Sequence, residues 1–116
     1  MRVLVCGDRN WKDSRLISKV LSSLPGYITI IEGGARGADR IAGNIAKQTN
    51  RMEVEEYPAN WDRYGKAAGV IRNLEMLVKG KPQIVLAFHT NLVLSKGTAH
   101  MIYIAYRAGI PVKIYP

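Results

Sequence analysis

Residues 28–39, Ile-Thr-Ile-Ile-Glu-Gly-Gly-Ala-Arg-Gly-Ala-Asp, contain the pattern that decides the fold. The first five form a short apolar run, which predicts a buried strand over residues 28–32. Glycines then lead into a segment whose apolar positions recur at helical spacing, namely Ala38, Ile41, Ala42 and Ile45. A buried strand that turns directly into an amphipathic helix is the repeating unit of α/β proteins.

The same unit recurs along the chain. Apolar runs at residues 3–6, 53–57, 83–88 and 112–115 alternate with helix-period segments, in the order β-α-β-α-β-α-β-α-β. The other helices are predicted from Leu16, Ile17, Val20 and Leu21, from Val70, Ile71, Leu74, Leu77 and Val78, and from residues 98–109. Each is expected to lay its apolar stripe on the sheet. We predict an α/β, Rossmann-like three-layer sandwich of about five mostly parallel strands with helices on both faces.

Composition and charge narrow the class of protein. A chain of 116 residues with 47% hydrophobic and 22% charged residues suits one globular domain, residues 1–116. No apolar run is long enough for a signal peptide or a membrane span, so we expect a cytoplasmic protein that does not bind membranes. The lone Cys6 has no partner for a disulfide or a thiolate metal site. The net charge of +8 favours anionic partners, although a merely soluble basic surface explains it equally well.

Ligands of such sheets bind beyond the carboxyl ends of the strands, near the point where strand order reverses. The first loop there contains Gly7, Asp8, Arg9 and Trp11, which offer a tight turn, a charge and a flat ring that faces a base. In the alternative interpretation, Asp8 only shapes the turn and Trp11 covers the edge of the core.

The second loop is rich in glycine and enters a helix. Backbone N–H groups of Gly33, Gly34 and Gly37, together with the Arg36 side chain, are predicted to cradle a phosphate near Asp39. The glycine spacing matches neither a Walker A loop nor a dinucleotide fingerprint. A tight crossover capped by Asp39 is the alternative.

Two further segments contain polar groups. The start of the last helix, Ser95, Lys96, Gly97 and Thr98, is predicted to form a facing anion turn, with a plain N-cap as the alternative. The long loop 58–69 and the helix after it supply Lys66, Arg72 and Asn73 for phosphate or ribose, and Trp61 and Tyr64 for base stacking or for anchoring the loop. His89 and His100 lack the cluster of ligands that a metal needs, so neither a metal nor a cofactor is predicted.

Taken in order, these motifs resemble the YspA-like, YpsA-related branch of the SLOG superfamily. The resemblance rests on Gly-Asp-Arg-x-Trp, Gly-Gly-Ala-Arg-Gly-Ala-Asp, the Tyr-Pro-Ala-Asn-Trp segment with its Ile-Arg-Asn sequel, and Ser-Lys-Gly-Thr-Ala. It implies a Rossmann-like domain that binds a nucleotide or nucleotide-derived ligand, as a sensor or a sequestering protein. It also implies a homo-oligomer.

Two related families suggest rival mechanisms. In the cytokinin-activating phosphoribohydrolases, an arginine resembling Arg72 and a Gly-Thr resembling Gly97-Thr98 act with a glutamate, but Met101 stands at the position of that glutamate. We therefore predict no catalytic residue, although Asp8, Asp39 or Glu75 is a candidate substitute for the missing carboxylate. The DNA-processing DprA family has a segment resembling residues 34–39, which makes single-stranded nucleic acid the second choice of partner.

Overall fold

Strands and helices alternate along the whole described chain. The computed structural model describes residues 1–92 and 95–116. The elements are β1 (Arg2–Gly7), α1 (Ser14–Ser22), β2 (Ile28–Glu32), α2 (Ala38–Lys47), β3 (Met52–Glu56), α3 (Trp61–Tyr64), α4 (Ala68–Val78), β4 (Ile84–Phe88), α5 (Lys96–Arg107) and β5 (Val112–Tyr115). A single 3-10 turn, Gly65–Ala67, joins α3 to α4. The predicted order of strands and helices is confirmed.

The five strands form one parallel sheet in the order β3-β2-β1-β4-β5. In its centre β1 pairs with β2 on one side and with β4 on the other. From the centre, β2 and β3 extend the sheet to one side of β1, and β4 and β5 extend it to the other. The topological switch point, where a parallel sheet opens a crevice for ligands, lies between the carboxyl ends of β1 and β4.

Two apolar layers cover the two faces of the sheet. Helices α1 and α2 pack on one face, where Ile17, Leu21 and Ala42 contact strand residues such as Val5 and Ile30. Helices α4 and α5 pack on the other, where Met76 and Met101 contact Leu4. This is the predicted α/β three-layer sandwich. No helix within the described residues is long and apolar enough to cross a membrane.

The structure differs from the sequence prediction in local detail. The third strand starts and ends one residue earlier than expected, the last helix starts at Lys96, and the loop 58–69 contains α3 and the 3-10 turn. The larger difference concerns α4, because Val70, Leu74 and Val78 are exposed by 46%, 43% and 68% instead of facing the sheet. Helix α4 has apolar residues on more than one face, and Ala68 and Met76 are the apolar residues that become buried.

Candidate functional site

Two adjoining cavities lie at the carboxyl edge of the sheet. The larger, about 410 Å³, is at the switch point and is bordered by the loop after β1, by α4 and by the start of α5. The smaller, about 300 Å³, lies between the loop after β2 and the segment after β3. Arg9, Ala35 and Arg72 line both cavities, so the two form one composite cleft.

Most of the predicted site residues line this cleft. The larger cavity is lined by Gly7, Asp8, Arg9, Asp39, Arg72, Asn73, Ser95, Lys96, Gly97 and Thr98. The smaller is lined by Arg9, Gly33, Gly34, Arg36 and Arg72. Segments far apart in the sequence therefore meet around one space, as the parallel sheet requires.

Internal carboxylates occupy the glycine-rich turn. The N–H groups of Gly33 and Ala35 donate to Asp39 Oδ2 at 3.1 and 3.4 Å. The N–H of Gly34 donates to Glu32 Oε1. Two of the three N–H donors that were predicted to cradle a phosphate, those of Gly33 and Gly34, are thus already paired. This part of the structure agrees with the alternative in which Asp39 organises a tight crossover.

Burial makes both carboxyl groups unusually basic. Glu32 and Asp39 are exposed by only 3% and 5%. Loss of hydration raises the pKa of Asp39 to about 6, although Arg72 and the two N–H donors act in the opposite direction. Loss of hydration likewise raises the pKa of Glu32 to about 7. The hydrogen bond from the N–H of Gly34 lowers this pKa, whereas the nearby charge of Asp39 raises it further. Asp39, which lines the larger cavity, and Glu32, which lies beside the turn, are thus two acids whose pKa values are raised toward neutrality.

Two glycines are needed in this turn for close approach. A Cβ on Gly33 would collide with the guanidinium of Arg72, and a Cβ on Gly37, at φ +75°, would collide with the backbone carbonyl of Asp8. Gly37 therefore acts through packing, because it brings the loops after β1 and β2 together. It lines neither cavity within the described residues.

Arg72 and Asn73 connect the turn after β2 to the start of α5. Arg72 Nη1 donates to the carbonyl of Gly33 at 2.8 Å, and its Nε donates to Asn73 Oδ1 at 3.0 Å. Asn73 Nδ2 donates to the carbonyl of Gly97 at 3.2 Å and lies 3.1 Å from His100 Nδ1. These bonds hold the Arg72 guanidinium between the two cavities and leave its Nη2 without a hydrogen bond in the described part of the chain.

Four arginines surround the smaller cavity. Arg9, Arg36, Arg40 and Arg72 line it, and its described lining residues include no Asp or Glu. The nearby carboxylates of Asp39 and Glu32 are bonded to backbone N–H groups of the turn. The half-exposed ring of Trp61 lies at the same cavity. Guanidinium groups are the donors that suit phosphate geometry, so the charge and the chemistry of this cavity are suited to an anion.

The start of α5 faces the larger cavity. Ser95 Oγ accepts a hydrogen bond from the N–H of Thr98 at 3.1 Å, which is the N-cap interaction weighed as an alternative. Thr98 is buried, whereas Lys96 and Gly97 are exposed. Met101, at the position of the phosphoribohydrolase glutamate, is fully buried in the core on the α4–α5 side of the sheet and does not line the cleft.

Besides Gly37, two predicted site residues lie outside both cavities. Trp11 was expected to face a base, but its ring is only 8% exposed, packs edge-on against Phe88 at 5.7 Å, and donates from Nε1 to the carbonyl of Asp13. The apolar surface of the ring drives it into the core, which is the alternative interpretation of this residue. Lys66 is exposed on the 3-10 turn and lines neither cavity.

Sequence reasoning did not assign Arg40 or His89 to the site, and it left Trp61 undecided. Arg40 follows Arg36 by four residues, and this spacing could have indicated that both side chains lie near the same cavity. His89 directly follows β4 and lines the larger cavity.

Among the carboxylates weighed as substitutes for the missing glutamate, Glu75 lies 4.0 Å from Lys79 on the outside of α4 and lines neither cavity. The described residues contain no group of three His, Cys, Asp or Glu side chains that would hold a metal.

The fold and the cleft define an open parallel α/β domain with an arginine-lined crevice at the carboxyl edge of its sheet. The sequence profile described as YAcAr, the YspA, cpYpsA-related SLOG family, matches residues 1–64, more than half of the chain. The chain belongs to this family. It is also 40% identical over 119 residues to the Gene 61 protein of Mycobacterium phage D29, an alignment that covers 96% of this chain and 93% of that protein.

Proposed function

We propose that this protein binds a nucleotide or a nucleotide-derived, phosphate-bearing molecule in the composite cleft, as a sensor or a sequestering protein. The observation that carries the proposal is the smaller cavity, where four arginines meet and no described lining residue is acidic. Family membership supports a nucleotide as the source of the phosphate.

The contacts favour a particular placement of the ligand. Because Asp39 and Glu32 already accept the N–H groups of the turn after β2, the phosphate is expected among Arg9, Arg36, Arg40 and Arg72. The nucleoside is expected in the larger cavity, whose lining mixes acidic and basic side chains and offers amide, hydroxyl and imidazole groups. The positive end of the α5 dipole borders that cavity and adds to the attraction for an anion.

Binding without catalysis is the function we favour. Met101 has no carboxylate, and Asp39 already accepts the N–H groups of Gly33 and Ala35, so neither supplies a free carboxylate for the N-glycosidic cleavage that phosphoribohydrolases carry out. Asp8 is the other carboxylate among the described residues that line the cleft, and we assign it to ligand binding. Self-association, which the family resemblance implies, stays a prediction, as does the binding of single-stranded DNA.

The proposal is tested first by native mass spectrometry of freshly purified protein, in which a retained nucleotide is expected. Isothermal titration with the ribonucleoside 5′-monophosphates then measures affinity for the unaltered protein and for Arg40→Ala. Loss of a charged hydrogen-bond donor is expected to weaken binding about tenfold or more. The matched control is Arg107→Ala, an exposed arginine at the opposite end of α5, which is expected to change affinity less than about twofold.

Three outcomes would count against the proposal. The first is the absence of nucleotide binding by both methods. The second is an equal effect of Arg40→Ala and Arg107→Ala, since general charge attraction would then explain binding. The third is binding only to oligonucleotides, with an affinity that grows with strand length and falls steeply with salt, which would instead favour the single-stranded DNA function.

A further inference from the structure

Asp8 and His89 face one another across the switch point. Asp8 follows β1 and His89 follows β4, and both side chains line the larger cavity. The distance from Asp8 Oδ2 to His89 Nε2 is 4.0 Å, which is too long for a direct hydrogen bond. The two groups are therefore close neighbours that leave a gap between them.

In each side chain, the polar atom that does not belong to the 4.0 Å pair already has a hydrogen bond. Asp8 Oδ1 accepts the N–H of Asn10 at 2.8 Å. His89 Nδ1 accepts the N–H of Asn91 at 3.0 Å, and an accepting Nδ1 places the imidazole proton on Nε2. The pair thus presents one acceptor, Asp8 Oδ2, and one N–H donor, His89 Nε2, into the cavity. Asp8 Oδ2 has no hydrogen bond to the part of the chain that the structure describes.

We infer that Asp8 and His89 together hold one sugar hydroxyl of the ligand. A hydroxyl oxygen placed about 2.8 Å from each atom would span the 4.0 Å gap with an angle of about 90° at the oxygen. It would donate its proton to Asp8 Oδ2 and accept the proton of His89 Nε2, so one group satisfies both.

The chemistry of the pair disfavours a phosphate oxygen or an apolar group in this gap. A phosphate oxygen has no proton for the carboxylate of Asp8 and would be repelled by its charge. An apolar group would leave a buried donor and an acceptor unpaired, since His89 is only 9% exposed. A neutral group that both donates and accepts satisfies the pair. A ribose hydroxyl does so with one oxygen atom, whereas the edge of a base would need two neighbouring atoms, and the comparison with deoxy analogues below distinguishes the two. The inference rests on the proposed function, and it makes the site selective for ribonucleotides.

The test compares each ribonucleoside 5′-monophosphate with its 2′,3′-dideoxy analogue by isothermal titration. The unaltered protein is expected to bind the ribonucleotide at least about tenfold more tightly, because removal of the hydroxyl strands a charged acceptor. Asp8→Asn, which keeps the size of the side chain, is expected to reduce that ratio to about twofold or less. Arg36→Ala is the matched control in the cleft, and it is expected to weaken both ligands equally and to preserve the ratio.

The outcomes separate the two claims. Equal affinity of the unaltered protein for both ligands, or an unchanged ratio in Asp8→Asn, overturns the inference and leaves the proposed function standing. A failure of every nucleotide to bind the unaltered protein overturns both. The ligand comparison itself uses the unaltered protein, so it decides the matter even where circular dichroism shows that Asp8→Asn does not fold.

Discussion

Replacement of Glu32 by Gln should remove a large part of the pH dependence of stability. Burial raises the pKa of this carboxyl from an ordinary value of 4.5 to about 7. Between these two values the folded protein keeps a proton that the unfolded chain has lost. Stability is therefore greatest below the unfolded pKa and falls as pH rises through the folded pKa.

The magnitude follows from the two pKa values. One pKa unit corresponds to about 1.4 kcal/mol, and the window between pH 5 and pH 8 contains most of the shift. Ionisation of Glu32 should lower the free energy of unfolding by about 2–3 kcal/mol across that window. The Gln side chain keeps an oxygen that accepts the N–H of Gly34 but has no proton to lose in this range.

The assay is urea denaturation followed by circular dichroism at both pH values. The free energy of unfolding of the unaltered protein should fall by about 2–3 kcal/mol more than that of Glu32→Gln between pH 5 and pH 8. The matched control is Glu75→Gln on the outside of α4, whose pH dependence should equal that of the unaltered protein. An identical pH dependence in Glu32→Gln and the unaltered protein would refute the reasoning, because Glu32 would then be as well solvated as an ordinary surface acid.

Two further comparisons test packing by thermal or urea denaturation. Gly37→Ala should destabilise the protein by about 2 kcal/mol more than Gly109→Ala. Both glycines have positive φ, but only at Gly37, of these two, does an added Cβ meet a backbone atom. Equal effects would mean that the loops after β1 and β2 separate freely to make room for the Cβ. Trp11→Ala should cost about 3–5 kcal/mol, whereas Trp61→Ala, at a half-exposed ring, should cost less than about 1 kcal/mol. A reversed order of the two tryptophan variants would place the wrong ring in the core.

Most of the architecture was predictable from local sequence. Apolar runs and helical spacing predicted every strand of the sheet and the four longer helices, because these signals depend on residues close together in the chain. The connections between parallel strands then placed the three loops at one edge. The short α3 was not predicted, since its four residues carry too little periodicity to be recognised.

The site was predictable in its location but less so in its contacts. The loops after β1, β2 and β4 and the helix residues Arg72 and Asn73 do meet at the cleft. The sequence did not show that Asp39 accepts the N–H groups of Gly33 and Ala35, because the same pattern of glycines suits a bound phosphate or an internal carboxylate. It also did not show which of Trp11 and Trp61 is buried, since both follow a strand in a polar loop.

By itself, the sequence determined the α/β class, the order of the elements, the carboxyl edge as the place for a ligand, and the family motifs that residues 1–64 share with other SLOG proteins. These depend on periodicity, glycine positions and the handedness of strand connections. Only the tertiary structure decided that internal acids fill the glycine-rich turn, that four arginines surround the neighbouring cavity, and that Asp8 and His89 stand 4.0 Å apart. The physical reason is that hydrogen bonds, burial and charge depend on side chains brought together from distant segments, and a linear pattern does not specify those distances.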